Sequence, residues 1–323
     1  MSVTARPRAS GGNAVSKTTP RIGVIVNTRS HRNQSARDVK PAPEGVETAY
    51  TETLADVAAA LKQFAAQGID LLVIDGGDGT IRDVLSLAAP HFGEQYPRLA
   101  VLPSGKTNAL AVDLGVPKGW TLDAALACHA RGEIRRRAPL EIWRKDADAP
   151  EMRGFLLGAA AFVRATQIAQ GAHKLGAFDA LGVAAAIGAS LFQALLGGPK
   201  GAWRAGESIG LALGVGPMET KARFLVLTTT LKRFPMGFKP FGPPREGLKV
   251  LHVDAPPRRL PLAMGRILTG RDAAWLPEAG YHQADVESLA LAGAPQFVLD
   301  GDLYPGGEFA IRRGPLLEFA APT

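Results

Sequence analysis

The stretch from Ile69 to Ala89 constrains this chain more than any other. IDLLVID at 69–75 is a β-branched apolar run that reads as a strand buried on both faces, and residues 81–89 have helical periodicity. Between them stands GGDGT at 76–80. A doubly buried strand that turns straight into a helix belongs to a parallel sheet covered by crossover helices. Three glycines in four positions exceed what a tight turn needs. They let backbone N–H groups approach an anion closely, and the helix start behind them adds its dipole. The loop reads as a phosphate cradle, with Thr80 capping the helix or touching phosphate.

The flanking sequence repeats this rhythm. RIGVIVNT at 21–28 is a second buried strand, and residues 51–67 place Leu54, Val57, Ala58, Leu61 and Phe64 at helical spacing before Gly68. Leu99–Ser104 is a third strand. Strand, helix, strand, helix, strand predicts a doubly wound parallel α/β unit over 21–138. Beyond it, strand-like pieces at 139–144, 154–158, 222–230, 247–253, 284–292, 296–299 and 308–312 predict a mainly antiparallel β domain over 139–323. One apolar helix or helical hairpin is expected inside it, at 175–197. Residues 180–199 carry no charge, but Ser190, Gln193 and four glycines argue against a membrane span, which needs about 20 predominantly apolar residues. Leu181, Ala185, Gly188, Phe192 and Leu195 form a helical stripe that suits a core helix, or one lining a lipid pocket.

Charge is unevenly placed. Residues 1–37 hold seven basic residues and no acidic one, so the remaining chain balances at 30 basic against 30 acidic. A balanced body argues against a dedicated nucleic-acid binder. Residues 1–20 lack periodicity and an apolar run, and read as a disordered basic leader, not a secretory signal. The leader is a solvated tail or touches anionic lipid. The lone Cys128 excludes an internal disulfide and a multi-cysteine metal site, and suits a reducing compartment. No histidine pair has the spacing of a helical metal site.

Two further segments carry chemistry. Leu102–Ala111 is again a strand feeding a polar loop, with Gly105, Lys106, Thr107 and Asn108, and then a helix. Ligands of doubly wound sheets bind beyond the carboxyl ends of the strands, so this loop and GGDGT face one nucleotide. Neither loop satisfies a dinucleotide fingerprint or a Walker loop. The late segment 297–307 contains Asp300-Gly301-Asp302. Asp-Gly alone is a common hairpin turn, but two acids flanking the glycine can supply one metal contact and one general base.

GGDGT, followed by P-x-G-x-x-N-x-x-A and a late D-G-acid motif, resembles the diacylglycerol and sphingolipid kinase family, whose fold is shared distantly with NAD kinases. The resemblance runs from about residue 21 to the C-terminus. It implies an ATP-dependent lipid kinase that uses ATP and Mg2+, with Asn27, Ser30, Thr51, Gly76, Gly77, Asp78, Gly79, Thr80, Thr107 and Asn108 on the nucleotide side. Lys106 replaces a small hydroxyl residue and is expected to reach a phosphate. By the same resemblance Asp78 and Asp300 would contact magnesium through the nucleotide, and Asp302, or else Asp300, would deprotonate the lipid hydroxyl. Asp302 stands where relatives carry glutamate. Lys249 stands where bacterial diacylglycerol kinases carry an aspartate of a structural metal site, so that site is expected to be absent. Asn108-Ala-Leu-Ala111 is closer to the sphingosine kinase pattern, which favours ceramide over diacylglycerol. The implied partner is a membrane lipid, with peripheral attachment at the cytoplasmic face, no nucleic acid, and room for a homodimer. A soluble-substrate kinase of the NAD kinase type and a non-catalytic lipid-binding protein are the competing readings.

Overall fold

A computed structural model describes residues 21–30, 32–33, 45–93, 95–174 and 204–323. The leader at 1–20 and the apolar segment 175–197 lie outside the described residues. The first unit is built on a six-stranded sheet. β1 (Ile22–Asn27), β2 (Val46–Thr51), β3 (Leu71–Gly76) and β4 (Arg98–Pro103) lie in the order β2-β1-β3-β4, all parallel. Helices α1 (Leu54–Gln67) and α2 (Asp78–Phe92) cross over one face, where Leu61, Phe64, Val84 and Leu85 bury against Ile25, Leu72 and Ile74. A capping box of Thr53 and Asp56 starts α1, and Gly68 at φ 62° ends it. α3 (Ala109–Asp113) and α4 (Leu122–Arg131) follow β4, with Thr121 capping α4.

Two strands complete the sheet beyond β4. β5 (Ile134–Arg137) is the far edge, and the C-terminal strand β15 (Leu317–Ala320) inserts between β4 and β5, with Phe319 fully buried. The last strand of the chain therefore belongs to the sheet of the first unit, although the reading of the sequence divided the chain once, at 138. A four-residue strand, LEFA, carries too little pattern to announce its sheet.

The second unit is a nine-stranded antiparallel sheet. It comprises β6 (Leu140–Arg144), β7 (Met152–Gly154), β8 (Leu156–Ala160), β9 (Glu207–Leu213), β10 (Glu219–Thr229), β11 (Leu248–Asp254), β12 (Tyr281–Val286), β13 (Ser288–Leu299) and β14 (Asp302–Arg313). The order is β12-β11-β10-β8-β13-β14-β6-β7, with β9 bridging β10 and β13. One face buries Leu140, Ile142, Leu157, Val226, Phe297 and Phe309. Among the described residues three helices accompany the sheet: α5 (Ala161–Lys174), α6 (Leu260–Thr269) and α7 (Trp275–Glu278). None of the three was expected, because α5 mixes polar and small residues and α6 contains Pro261 and Gly265, which read as loop. None of the described helices is long and apolar enough to cross a membrane.

Candidate active site

The glycine loop and the loop after β4 meet at the carboxyl edge of the parallel sheet. A Cβ on Gly105 would lie 2.5 Å from the Gly77 Cα, and one on Gly77 would lie 3.1 Å from the Gly105 Cα. The two backbones therefore touch: a side chain at Gly105 would force them apart, and one at Gly77 would require the facing backbone to give. Asn108, at φ 49°, pins the second loop: its Oδ1 accepts from the Gly105 amide at 2.9 Å and its Nδ2 donates to the Gly105 carbonyl at 2.7 Å. Lys106 and Thr107 sit exposed at the tip.

The remaining expected nucleotide-side residues stitch three strand ends together. Asn27 Nδ2 donates to Thr80 Oγ1 at 2.8 Å, and Asn27 Oδ1 accepts from the Arg29 amide at 2.9 Å. Ser30 is buried and its amide donates to the Asn27 carbonyl at 3.1 Å. Thr51 is buried at the end of β2, and its hydroxyl donates to the Val26 carbonyl at 3.4 Å. Gly76 exists because Thr80 folds over it: a Cβ there would lie 2.5 Å from the threonine side chain. Three residues that sequence reasoning missed complete this frame. Asp75 Oδ1 accepts from Ser104 Oγ and, at 3.2 Å, from Asn33 Nδ2, which also donates to the Asn27 carbonyl at 3.0 Å. Asp75 and Ser104 flank the two glycine-containing loops in the sequence, but only the fold brings them, with Asn33, into hydrogen-bonding reach.

The three acids have different surroundings. Both oxygens of Asp78 accept amides of α3, from Ala109 at 2.9 Å and Leu110 at 3.2 Å. Asp78 thus caps α3 across the cleft. Burial pushes its carboxyl up, against the pull of those N–H donors. Asp300, at φ 48°, accepts the amides of Phe155 at 3.0 Å and Leu156 at 2.9 Å. Gly154 admits it, since a Cβ there would lie 2.5 Å from Asp300 Oδ2. Burial, and then the charge of Asp78, push Asp300 up to about 7.

Asp302 is the open carboxylate, with a side chain 55% exposed. Its Oδ2 lies 2.6 Å from Arg82 Nη1 and would lie 3.1 Å from a Cβ on Gly79. Arg82 is a buried member of α2, one turn after Asp78. Its fork also reaches the Leu299 carbonyl at 3.2 Å and Asp83 Oδ1 at 2.7 Å, and it stacks over Tyr304. Arg82 therefore bolts the late Asp-Gly-Asp turn onto the helix that starts at the glycine loop. The sequence holds a signal for it, a cation on a helix face otherwise occupied by Ile81, Val84 and Leu85.

Two other features do not compete with this edge. A cavity of about 770 Å3, lined by Asp70, His91, Tyr96, Arg98, His129 and Glu318, opens at the opposite end of the sheet. His252, Asp254 and His282 have metal-ligand chemistry and cluster on β11 and β12. Their cation is already in place: buried Arg223 donates to His252 Nδ1 at 3.0 Å and pairs with Asp254 at 3.6 Å, with Lys221 at 3.5 Å. Burial and Arg223 hold His252 down at about 4.

Comparison with known proteins agrees with the motifs. Residues 21–141 match the family model of the diacylglycerol kinase catalytic domain. The chain is 35% identical over 97 residues to the diacylglycerol kinase of Bacillus subtilis (strain 168), covering 30% of this chain and 31% of that relative. It is 28% identical over 214 residues to a "Probable lipid kinase YegS-like" of Stenotrophomonas maltophilia (strain K279a), covering 62% of this chain and 66% of that one. The chain thus spans between about a third and two thirds of the length of these relatives. The fold is that of a diacylglycerol kinase crystal structure from Bacillus anthracis str. Sterne, with a TM-score of 0.61 at 14% identity over 93% of this chain and 96% of that chain.

Proposed function

We propose that this protein is an ATP-dependent lipid kinase that transfers the γ-phosphate to a hydroxyl of a membrane lipid. The observation that carries the reading is the Arg82–Asp302 bridge, which sets an exposed carboxylate against the loop that would hold the phosphates. Such a pairing is what phosphoryl transfer requires: a positioned phosphate and a base beside it.

The residues fit the nucleotide. α1 and α4 are capped by threonine side chains, whereas no side chain caps α2, so its first amides remain for phosphate oxygens. Gly77 and Gly105 keep the cradle narrow, and Lys106 and Thr107 border it from the second loop. The charge of Asp78 adds to the cost of ionising Asp300, and a divalent cation accompanying ATP, which these two carboxylates would hold, would offset that cost. Such an ion supplies neutralisation of charge on the phosphates. Asp302 Oδ1, with no hydrogen-bond partner among the described residues, is the oxygen that takes the proton of the lipid hydroxyl. Arg82 holds that carboxylate by its other oxygen.

The lipid acceptor is a separate matter. The expectation of ceramide rested on Asn108-Ala-Leu-Ala111, and Lys249 set the chain apart from the bacterial diacylglycerol kinases. Leu110 and Ala111 are buried in the core, and the Lys249 ammonium is buried against the carbonyls of Arg245 and Gly247. Buried as they are, these side chains add no contact of their own that would separate ceramide from diacylglycerol. Diacylglycerol, the acceptor named for the Bacillus subtilis relative, becomes the first candidate and ceramide the second. The test is phosphate transfer from labelled ATP to matched detergent micelles of diacylglycerol, ceramide and sphingosine. Transfer to diacylglycerol is expected. Transfer to none of the three would reject a lipid kinase.

A further inference from the structure

Between β10 and β11 the chain reads KRFPMGFKPFGPPR over 232–245, with four cations and no acid. The loop leaves the junction of the two units, where the amides of Lys232 and Arg233 donate to Asp113 at the end of α3. Its base is anchored: Phe234 and Phe241 stack at 5.7 Å and pack on Leu251, Val253, Leu260, Ala263 and Ile267. Its tip is turned out. Pro235–Gly237 form a 3-10 turn with Met236 at φ 58°, and Met236 and Phe238 are 59% and 37% exposed. A methionine held in the left-handed region, with its side chain in water, is a costly arrangement for a loop whose other aromatics found a core.

Helix α6 extends the same surface. The Lys239 amide donates to the Leu268 carbonyl at 2.9 Å, which ties the loop to the helix. On α6, Leu262 is 54% exposed and lies on the face of Arg266 at i+4, while Arg259, at φ 49°, stands just before the first turn. Residues 255–271 again hold four cations, Arg258, Arg259, Arg266 and Arg271, and no acid. Lys232 pairs with Glu246 and Arg245 with Asp285. The other six cations of the two segments have no carboxylate partner among the described residues.

Exposed apolar side chains on segments whose cations mostly lack a carboxylate partner, with Arg259 over the Trp275 ring at 5.6 Å, match one surface, a bilayer carrying anionic phospholipid. It offers hydrocarbon to the tip and phosphate to the ring. We propose that the 232–245 loop and α6 form the membrane-docking face, with Met236, Phe238 and Leu262 entering the interface and Arg233, Lys239, Arg259, Arg266 and Arg271 meeting headgroups. The inference rests on the reading of a bilayer-borne substrate and names the surface that reaches it.

The test is sedimentation of the full chain with phosphatidylcholine vesicles, with and without phosphatidylglycerol, in the absence of ATP. Wild type is expected to bind the anionic vesicles selectively and to lose binding as salt rises. Met236→Asn with Phe238→Ser is expected to weaken binding about tenfold with an unchanged melting temperature, since asparagine tolerates the left-handed backbone. Lys239→Gln with Arg266→Gln is expected to weaken it about fivefold per cation and to flatten the salt dependence. Because Cys128 is buried, a dye on Phe238→Cys reports the tip alone, and its emission is expected to shift to the blue on anionic vesicles. Wild-type binding by both double variants, no preference of the wild type for anionic vesicles, or an unshifted dye would each overturn the proposal. Phosphate transfer to micellar lipid is scored separately, so a failure of the kinase reading leaves the vesicle result standing, and the reverse.

Discussion

At the scale of single residues, the chemistry turns on which carboxylate is free. Asp78 and Asp300 spend their oxygens on backbone amides, while Asp302 engages Arg82 through Oδ2 alone, and on the proposed reading its other oxygen takes the substrate proton. Asp302→Asn is expected to lower kcat by about 10²- to 10⁴-fold, the range of a general base. Arg82→Ala is expected to lower kcat with little change in KM for ATP, because arginine acts through Asp302. Combined with Asp302→Asn it is expected to add almost nothing, and additive losses in that double-mutant cycle would show that the two act apart. Asp300 makes a separate prediction. Its folded-state value of about 7 lies above the ordinary carboxylate range, so its contribution to stability is full below about pH 4 and is lost as pH rises through 7. Asp300→Asn is expected to remove that decline, measured as the melting temperature of the nucleotide-free protein between pH 4 and 8. An unchanged decline would place its origin elsewhere.

At the scale of elements, the site is a crossing of two strand-to-helix turns. β3 turns into α2 and β4 into α3, and the backbones touch at Gly77 and Gly105 while Asp78 reaches over to cap α3. Gly105→Ala sets a methyl group against backbone, with no flexible side chain to give way. The variant is expected to keep its fold but lose ATP affinity at least about tenfold, as calorimetry would measure, because the turns must separate by more than a near-attack geometry tolerates. Unaltered affinity would mean that the loops do not share one ligand. Both turns were legible in the sequence, since each is a glycine-containing loop after a doubly buried strand. The helices of the second unit were not. Pro261 and Gly265 in α6, and the polar mixture of α5, weaken the periodicity on which a helix is recognised, and contact with the sheet makes up the difference.

At the scale of the molecule, the two units are not separable pieces of chain. β15 returns to lie between β4 and β5, and Arg137 of β5 is buried in an ion pair with Asp113, which also accepts the first amides of the 232–245 loop. A chain ended at Gly314 would expose an open edge of β4 and uncover the core around Phe319. It is expected to be insoluble or molten, checked by far-UV and near-UV circular dichroism. A native near-UV signal from that truncation would show that the sheet tolerates the loss.

The sequence by itself determined the parallel sheet, the glycine loop between strand and helix and the position of the late acidic turn. These are local matters: strand burial on both faces, glycine at close approach and the chemistry of a carboxylate are written in a few adjacent residues. Tertiary structure alone decided that Asp302, not Asp300, stands open, that Arg82 joins positions 220 residues apart, and that the last strand completes the first sheet. Such outcomes depend on which surfaces meet once the chain has closed on itself, and no window of the sequence contains both partners.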